Sequence, residues 1–473
     1  MLDTLKSVFD TFGSAVFVPV MIFVVAKVLK VKTQKAFLSG LYAGVGLMGF
    51  TLILNSYTPI ISKVVQQMVD QTGINLPAFD VGWQATALVA YSTEAGMIYL
   101  VIALVLQTVL FLVKWTNVFQ PSDLWNNYSY MVWGSMVYLA TKNMILAVVL
   151  MCLLNMYSLL LSEMLARRWS SYYHYPNCTI IAMHNIEPGI FALLMDPIWN
   201  MLGLHKVRLN PQGLQKKLGF LGEPISLGLF LGLFLGILGN ISNLAELSAW
   251  GQITEVAIAT SAVMAIFPKV AGIFSQAFNP ISQAASKNVR GNNEGREWYL
   301  GVNDATGYGE PATLISGILL IPIMVFIAMI LPGNQTLPVV DLLAIPYMVQ
   351  ALVCLSNGNI AKTLLNGVIW FSLGLYMCSY TAPMFTEIAQ TVGVTLPAGA
   401  LMVTSFNILG KPIFGLIFLA FLSQNPLLIG LTIVAYFVVY FLFRKNKEAF
   451  YGYVERAAAK NSGEIPEGKT KVA

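Results

Sequence analysis

Long apolar runs cut by short polar turns set the pattern of this chain. The runs centre near 14–30, 36–56, 95–113, 129–141, 143–162, 225–242, 252–274, 312–331, 337–355, 363–382, 397–422 and 426–443. A bilayer-crossing helix needs about 20 mostly apolar residues. The pattern therefore predicts an all-α polytopic membrane protein with roughly eleven transmembrane helices. In 129–162 and 397–443 one run can be a span plus a half-helix. Two polar stretches, HNIEPG at His184–Gly189 and NDATGYGEP at Asn303–Pro311, interrupt the apolar text. Lipid satisfies no backbone hydrogen bonds, so such turns survive at membrane depth only packed in protein or lining a wet cavity. They predict two re-entrant hairpins, near 178–197 and 301–312, and mark the candidate substrate site.

Composition agrees with that pattern. Of 473 residues, 57% are hydrophobic and only 10% charged, against about 25% charged in soluble domains. Residues 1–13 show no separate basic, apolar and cleavage regions, so no removed signal peptide is expected. Cys152, Cys178, Cys354 and Cys378 stand without CxxC spacing and read as small packing residues. Phosphate-loop, metal-spacing and nucleophile-elbow motifs are absent from the sequence, as is any soluble stretch long enough for a nucleotide or phosphocarrier domain. The expectation is a protein with no catalytic residues, metal or cofactor of its own, driven by an ion gradient or by a separate protein. The net charge of +5 orients a membrane chain and does not point to nucleic acid.

Basic residues give the orientation. Lys27, Lys30, Lys32 and Lys35, then Arg167 and Arg168, then Lys206, Arg208, Lys216 and Lys217, then Lys287, Arg290 and Arg296, and finally Arg444, Lys445 and Lys447 mark inner connections. The connections 57–84, 243–251, 332–336 and 383–396 carry one or no basic residues and fall outside. This places the N-terminus outside and the C-terminus in the cytoplasm. Apolar residues at helical spacing in 57–84, from Ile60 to Val69, fit an amphipathic segment on the outer surface or a helix packed over the core. The chain divides into a first half (1–203), a basic cytoplasmic connection (204–222), a second half (223–443) and a charged tail (444–473) expected to be disordered. One re-entrant candidate lies on each side of the divide, an arrangement that points to a binding site built from structural repeats.

Candidate chemistry concentrates in those interruptions. His184, Asn185 and Glu187 lie between apolar IIAM and IFALLM, and an intramembrane ionisable cluster is a functional hypothesis by default. Histidine, asparagine and carboxylates offer the mixed donors and acceptors that grip a polyol's hydroxyls. Asn303, Asp304, Thr306 and Tyr308 form the second cluster, spaced by glycines that allow close backbone approach. Asp304 either accepts from two hydroxyls or caps the following helix. Three Glu-Pro pairs, at Glu187, Glu223 and Glu310, match helix starts. Glu223 reads as a start alone, whereas Glu187 and Glu310 fit a start or a substrate contact equally. Glu94, near the outer end of a span, fits a cap or a substrate contact. Gln276, Asn279 and Gln283 read mainly as a polar turn at an inner end.

At these residues the chain resembles the membrane subunit, enzyme IIC, of a sugar phosphotransferase system, in the galactitol branch of the ascorbate–galactitol superfamily. The features that carry the resemblance are DVGW at Asp80–Trp83, DLWN at Asp123–Asn126, LGEPISLG at Leu221–Gly228, GVNDATGYG at Gly301–Gly309, and LPGNQTLP at Leu331–Pro338 followed by Asp341. The resemblance implies a homodimer in which each protomer has a rigid interface domain and a moving inverted-repeat core that carries sugar in elevator fashion. It also implies a cytoplasmic enzyme IIB with a phosphocysteine, served by enzyme IIA, that phosphorylates the sugar, and it places the chain in the bacterial inner membrane. Ascorbate relatives hold the sugar with a His-Gln pair and an aspartate, which match His184, Asn185 and Asp304. Asn185 in place of glutamine, with Glu187 nearby, implies a polyol rather than an ascorbate anion. The usual galactitol form has a glycine after the histidine and a Gly-His pair where this chain has Gly309-Glu310.

The implied function is inward movement of a galactitol-class polyol coupled to phosphorylation. Basic residues around 206–217 and 287–296 would dock IIB or steer its phosphate. The competing reading is an ion-coupled transporter in which Asp304 or Glu187 takes a proton or sodium. A channel fits less well, because the polar residues cluster in two places and do not form rings along a pore.

Overall fold

The computed structural model describes residues 30–72, 76–207, 209–211, 223–277, 296–394 and 400–462, with a few isolated residues besides. Helices dominate, yet the chain is not all-α. Six short strands, β1 (Ala78–Asp80), β2 (Val118–Phe119), β3 (Cys178–Ile180), β4 (Tyr299–Val302), β5 (Thr336–Leu337) and β6 (Met402–Thr404), form two parallel three-stranded sheets in the orders β5-β1-β6 and β2-β4-β3.

β1, β2, β5 and β6 open segments that the sequence pattern presents as a loop or a continuous span, while β3 and β4 open the two stretches expected to be re-entrant. After β1 comes α2 (Trp83–Ser92) and then α3 (Glu94–Leu112). After β2 come a 3-10 turn (Gln120–Asn127), α4 (Tyr128–Thr141) and α5 (Met144–Tyr172), and β3 leads into α6 (Met183–Met201). The second half repeats the plan. β4 leads through the short α9 (Ala305–Tyr308) to α10 (Pro311–Ile330); β5 leads through a 3-10 turn (Asp341–Ala344), α11 (Ile345–Met348) and α12 (Gln350–Leu355) to α13 (Ile360–Thr391); β6 leads into α14 (Phe406–Leu409) and α15 (Pro412–Leu422). Exchanging β1, β2 and β3 with β4, β5 and β6 turns one sheet order into the other. Each half thus supplies the centre of one sheet and the flanks of the other.

Among the described residues six helices are long and apolar enough to cross a membrane: Glu94–Leu112, Met144–Tyr172, Leu247–Ile266, Pro311–Ile330, Ile360–Thr391 and Pro426–Lys445. The run 337–355 is broken into a strand and short helices, and 397–422 ends in a strand and the 11-residue α15. Run 129–141 is α4, with 14 residues, about 21 Å long at the helical rise and short of the roughly 30 Å hydrocarbon core. A buried strand and a half-helix are both apolar, so hydropathy alone merges them.

Three further helices, α1 (Thr33–Thr72), α7 (Pro224–Gly239) and α8 (Leu247–Ser275), pack chiefly on one another. Gly228, Gly232 and Gly236 lie at a spacing of four along α7. A Cβ at any of them would come within 3.0 Å of the α8 backbone at Ser261, Ala257 or Ile253, the close approach that small residues permit in membranes. The segment 57–72 continues α1 and is not a surface loop. Its apolar positions Tyr57, Ile61, Val64 and Met68 are buried, and the Tyr57 hydroxyl meets Thr260 Oγ1 at 3.1 Å.

The tail also departs from expectation. Beyond α16 (Pro426–Lys445), residues Lys447–Ser462 form α17, where disorder was expected. Charge pins it. Arg167 makes paired hydrogen bonds to Glu297 at 2.9 and 2.8 Å and to Glu448 at 2.6 and 2.8 Å. Buried Glu163 accepts from Lys447 Nζ at 3.1 Å and from the Asn117 backbone and side chain at 2.8 Å each. Arg296 donates to the carbonyls of Phe111 and Thr116 at 2.9 and 2.6 Å, so it braces β2 and is not a free docking charge.

Two outcomes follow for stability. Burial alone would raise the Glu297 carboxyl, but hydrogen bonds from Arg167 and Tyr299 and the charges of Arg167 and Lys447 hold it below the ordinary glutamate value of 4.5. A carboxylate depressed on folding stabilises above its unfolded pKa, and that contribution is lost as pH falls through the folded value. Hydrogen exchange across 447–462 should therefore quicken on acidification below about pH 4.5 and not between pH 6 and 8; unchanged protection in acid would refute the ionic anchor. The second outcome concerns Asp341, which accepts three hydrogen bonds described below. Asp341→Asn should cost about 1–3 kcal/mol, read as a lower thermal midpoint in detergent, and an unchanged midpoint would refute that role.

Candidate functional site

The two sheets end in opposite ways. Past the β5-β1-β6 sheet, Asp80 and Asp341 are both fully buried. Asp80 accepts from the backbone N–H of Gly82 at 3.0 Å, Phe406 at 3.2 Å and Asp341 at 2.6 Å. Asp341 accepts from Trp83 N at 2.9 Å, Asn407 N at 2.9 Å and Ser405 Oγ at 2.6 Å. Helix N-termini carry unpaired N–H groups and a positive dipole end. Here three of them converge on two carboxylates, whose oxygens are fully engaged. The two carboxylates of this end are saturated, although Thr404 Oγ1 and Asn407 Oδ1 beside them are buried without a partner.

Past the β2-β4-β3 sheet the same geometry recurs with bonds left open. Asp123 stands four residues beyond the end of β2, as Asp341 does beyond β5. Its Oδ2 accepts from Asn126 Nδ2 at 2.6 Å, and its buried Oδ1 has no partner. Asp304 follows β4, and His184 follows β3. The His184 Nε2 lies 2.5 Å from Asp304 Oδ2, although 120 residues separate them. A carboxylate only accepts, so Nε2 donates to it and Nδ1 is the ring nitrogen left over. That Nδ1 is buried without a partner, as are both amide atoms of Asn185 and Gln120 Oε1. Buried polar groups are nearly always paired in native proteins. Unpaired buried polar atoms on neighbouring segments can pair with a polar ligand.

The surroundings hold these groups in place. Gln350 donates from Nε2 to the Asp304 carbonyl at 2.6 Å, and Tyr175 donates to the Thr306 carbonyl at 3.0 Å. Gly307 is required, since a Cβ there would lie 2.1 Å from Gln350 Oε1. Ser122 donates to the Gly301 carbonyl at 2.7 Å, tying the 3-10 turn to the central strand. Tyr308 is buried with its ring centre 4.4 Å from that of Tyr347. Asn303 Oδ1 accepts from Ala305 N at 3.0 Å, capping α9. The short α9 also packs on α8, so the site borders the three-helix group.

The other residues picked out from sequence fall elsewhere. Glu310 caps α10, accepting from Thr313 N at 2.8 Å and Thr313 Oγ1 at 2.9 Å, while its other oxygen accepts from Tyr172 at 3.1 Å. Glu223 also precedes a helix start, with Pro224 in the first helical position. Glu187-Pro188 does not, because α6 already begins at Met183. Pro188 has no N–H, so the His184 carbonyl lacks its helical donor. Glu187 Oε1 instead accepts from Phe414 N at 2.8 Å, at the start of α15. Glu94 is exposed in the first turn of α3, whereas the cluster is buried. Gln276 is an exposed turn residue, and Asn279 and Gln283 lie outside the described residues. Asp123, Asn126, Gln120 and Gln350 escaped the sequence reading as site residues. The DLWN motif stood out only as a family signature; its place after an interrupted strand was the missing signal.

Comparison with known proteins gives the family. The chain is 28% identical over 414 residues to the galactitol-specific EIIC component of a PTS system from Escherichia coli (strain K12), covering 87% of this chain and 90% of the relative. The corresponding protein of Escherichia coli O157:H7 aligns with the same identity and coverage. A family profile described as EIIC-GAT, PTS system sugar-specific permease component, matches residues 7–399. That match takes in all but the last of the six strand segments, so this multi-pass membrane protein belongs to the family of PTS sugar-specific permease components, transport subunits that are not catalytic alone.

Proposed function

We propose that this permease carries a neutral polyol of the galactitol class and that the polyol lies against His184, Asn185, Asp304 and Asp123. The observation that carries this is the open end of the β2-β4-β3 sheet: buried polar atoms after β2 and after β3 lack partners, while both carboxylates at the other sheet are saturated. A polyol offers many hydroxyl donors and no charge. His184 Nδ1 and Asp123 Oδ1 accept from hydroxyls, Asn185 both donates and accepts, and Asp304 holds the imidazole in its tautomer. Asn303 and Tyr308 shape the wall, Glu187 and Glu310 act by holding helix starts, and Glu94 belongs to the outer entrance.

The carrier cycle is an elevator. The two-sheet core moves against the group formed by α1, α7 and α8, and the position of α9 between them supports that division. Two protomers pair, with the N-terminus outside the bacterial inner membrane and the C-terminus in the cytoplasm. Enzyme IIB, recharged by enzyme IIA, phosphorylates the sugar from the cytoplasmic side. Exposed Lys206 lies on the face it would approach.

Two measurements test this reading. Titration of purified protein with hexitols, pentitols and ascorbate should show saturable binding of a polyol. Loss of a hydrogen bond to a charged group is worth about 1.5–3 kcal/mol, so Asp304→Asn, Asp123→Asn and His184→Ala should each weaken binding about 10- to 100-fold. Wild-type affinity in all three would remove the polyol from this site. In vesicles, sugar phosphate should accumulate only when phosphorylated IIB is supplied, whereas uptake abolished by ionophores without IIB would establish ion coupling instead.

A further inference from the structure

The 3-10 turn that carries Asp123 holds a second polar residue left partly unpaired. Gln120 opens that turn directly after β2 and is buried, at 1% exposure. Its Nε2 donates to the Tyr130 hydroxyl on α4 at 3.3 Å, and its Oε1 is buried with no partner. Tyr130 is buried too, its ring edge-on to that of Tyr99 on α3 with 6.5 Å between centres. Behind them Asn155 on α5 donates to the Tyr99 hydroxyl at 2.8 Å and keeps its own Oδ1 unpaired. A strip of polar groups thus runs from Asp123 back into the wedge between α3, α4 and α5.

The other half shows that the fold does not require the Gln120–Tyr130 pair. Counted from the ends of β2 and β5, Asp341 corresponds to Asp123, and on the same count Pro338 corresponds to Gln120 and Met348 to Tyr130. Both are buried and apolar. The sheet end with saturated carboxylates builds its turn without polar groups at these two places, and the open end adds them. Leaving a buried acceptor without a donor destabilises a fold, so the addition calls for an occupant that donates. Among the described residues of the turn the unpaired side-chain atoms are Gln120 Oε1 and Asp123 Oδ1, both oxygens that can accept. Three residues of a 3-10 turn rise about 6 Å, a span that several carbons of an acyclic polyol cover and two neighbouring hydroxyls do not.

We propose that Gln120 is a specificity residue of the sugar site: its Oε1 accepts from a terminal hydroxyl of the polyol, at the end of the chain away from the His184–Asp304 pair, and so favours a six-carbon polyol over shorter ones. Tyr130 is a positioning residue. Its hydroxyl holds the amide nitrogen of Gln120 and leaves the oxygen for the ligand. The inference deepens the proposed function and rests on it for the polyol and for Asp123 as a contact.

The test is a binding cycle on full-length protein, with wild type and Gln120→Met each titrated with galactitol and with a galactitol analogue that lacks both terminal hydroxyls. Gln120→Met should weaken galactitol about 3- to 10-fold, the worth of one neutral hydrogen bond. Binding of the analogue should stay within about twofold of wild type, because it has no terminal hydroxyl to lose. Five-carbon polyols should follow the analogue. An equal loss for both ligands makes Gln120 a packing residue, and no loss for galactitol takes it out of the site; either result overturns the proposal. Tyr130→Phe keeps the ring and removes only the hydroxyl, so it should give the same ligand-dependent pattern with a smaller factor. If Gln120→Met cannot be purified, Tyr130→Phe decides, and a loss that ignores the terminal hydroxyls overturns the proposal. Failure of the carrier reading looks different: wild type binds neither ligand, or Asp123→Asn binds galactitol as wild type does.

Discussion

The whole structure depends on how six extended segments satisfy their backbones away from water. A peptide group left unpaired in hydrocarbon costs several kcal/mol, and a strand of two to four residues cannot form hydrogen bonds within itself. The chain solves this by bringing distant segments together in parallel threes, with β1 between β5 and β6 and β4 between β2 and β3. Neither half of the sequence can complete a sheet alone. The interruptions, and the helix N-termini they expose, therefore exist only once both halves have folded against each other.

Those N-termini then dictate the chemistry. Three positive helix ends at the end of one sheet favour acidic side chains, and both sheets have them: Asp80 with Asp341 at one, Asp123 with Asp304 at the other. What differs is how far the acids are satisfied from within. Ser405 and four backbone N–H groups from neighbouring segments saturate the first pair. The second pair meets a histidine and an asparagine side chain, and keeps an oxygen open. Internal symmetry thus yields one site that holds the fold and one that can hold a ligand, from almost the same parts.

The sequence made part of this legible. The polar stretches at His184 and Asn303 stood out because nothing near them is polar, and the structure joins them through His184 and Asp304. The strands did not stand out. Ala78–Asp80 sat in an apparent surface loop, and Thr336–Leu337 ran into an apolar stretch read as a span. Periodicity cannot separate a buried strand from a buried helix over so few residues. Asp123 was missed for another reason, since it is a single charge beside an apolar run and reads as a boundary. Only the folded chain, which brings it near Asp304 across some 180 residues, shows that it is buried. The tail failed through composition. Its charges looked solvated but meet opposite charges on α5 and before β4.

In the proposed carrier, two carboxylates at one site also bear on direction. Asp123 lies within electrostatic reach of Asp304, and a neutral polyol can lie between such groups because its hydroxyls donate to both. A sugar phosphate cannot do so. At an effective dielectric near 20, two unit charges about 4 Å apart interact by about 4 kcal/mol, and a phosphomonoester brings close to two negative charges toward acids already in place. Even a fraction of that repulsion expels the product by orders of magnitude relative to the free sugar. A pocket that binds by accepting hydrogen bonds is thus emptied by the modification that traps its cargo, with no step in which the permease itself consumes energy.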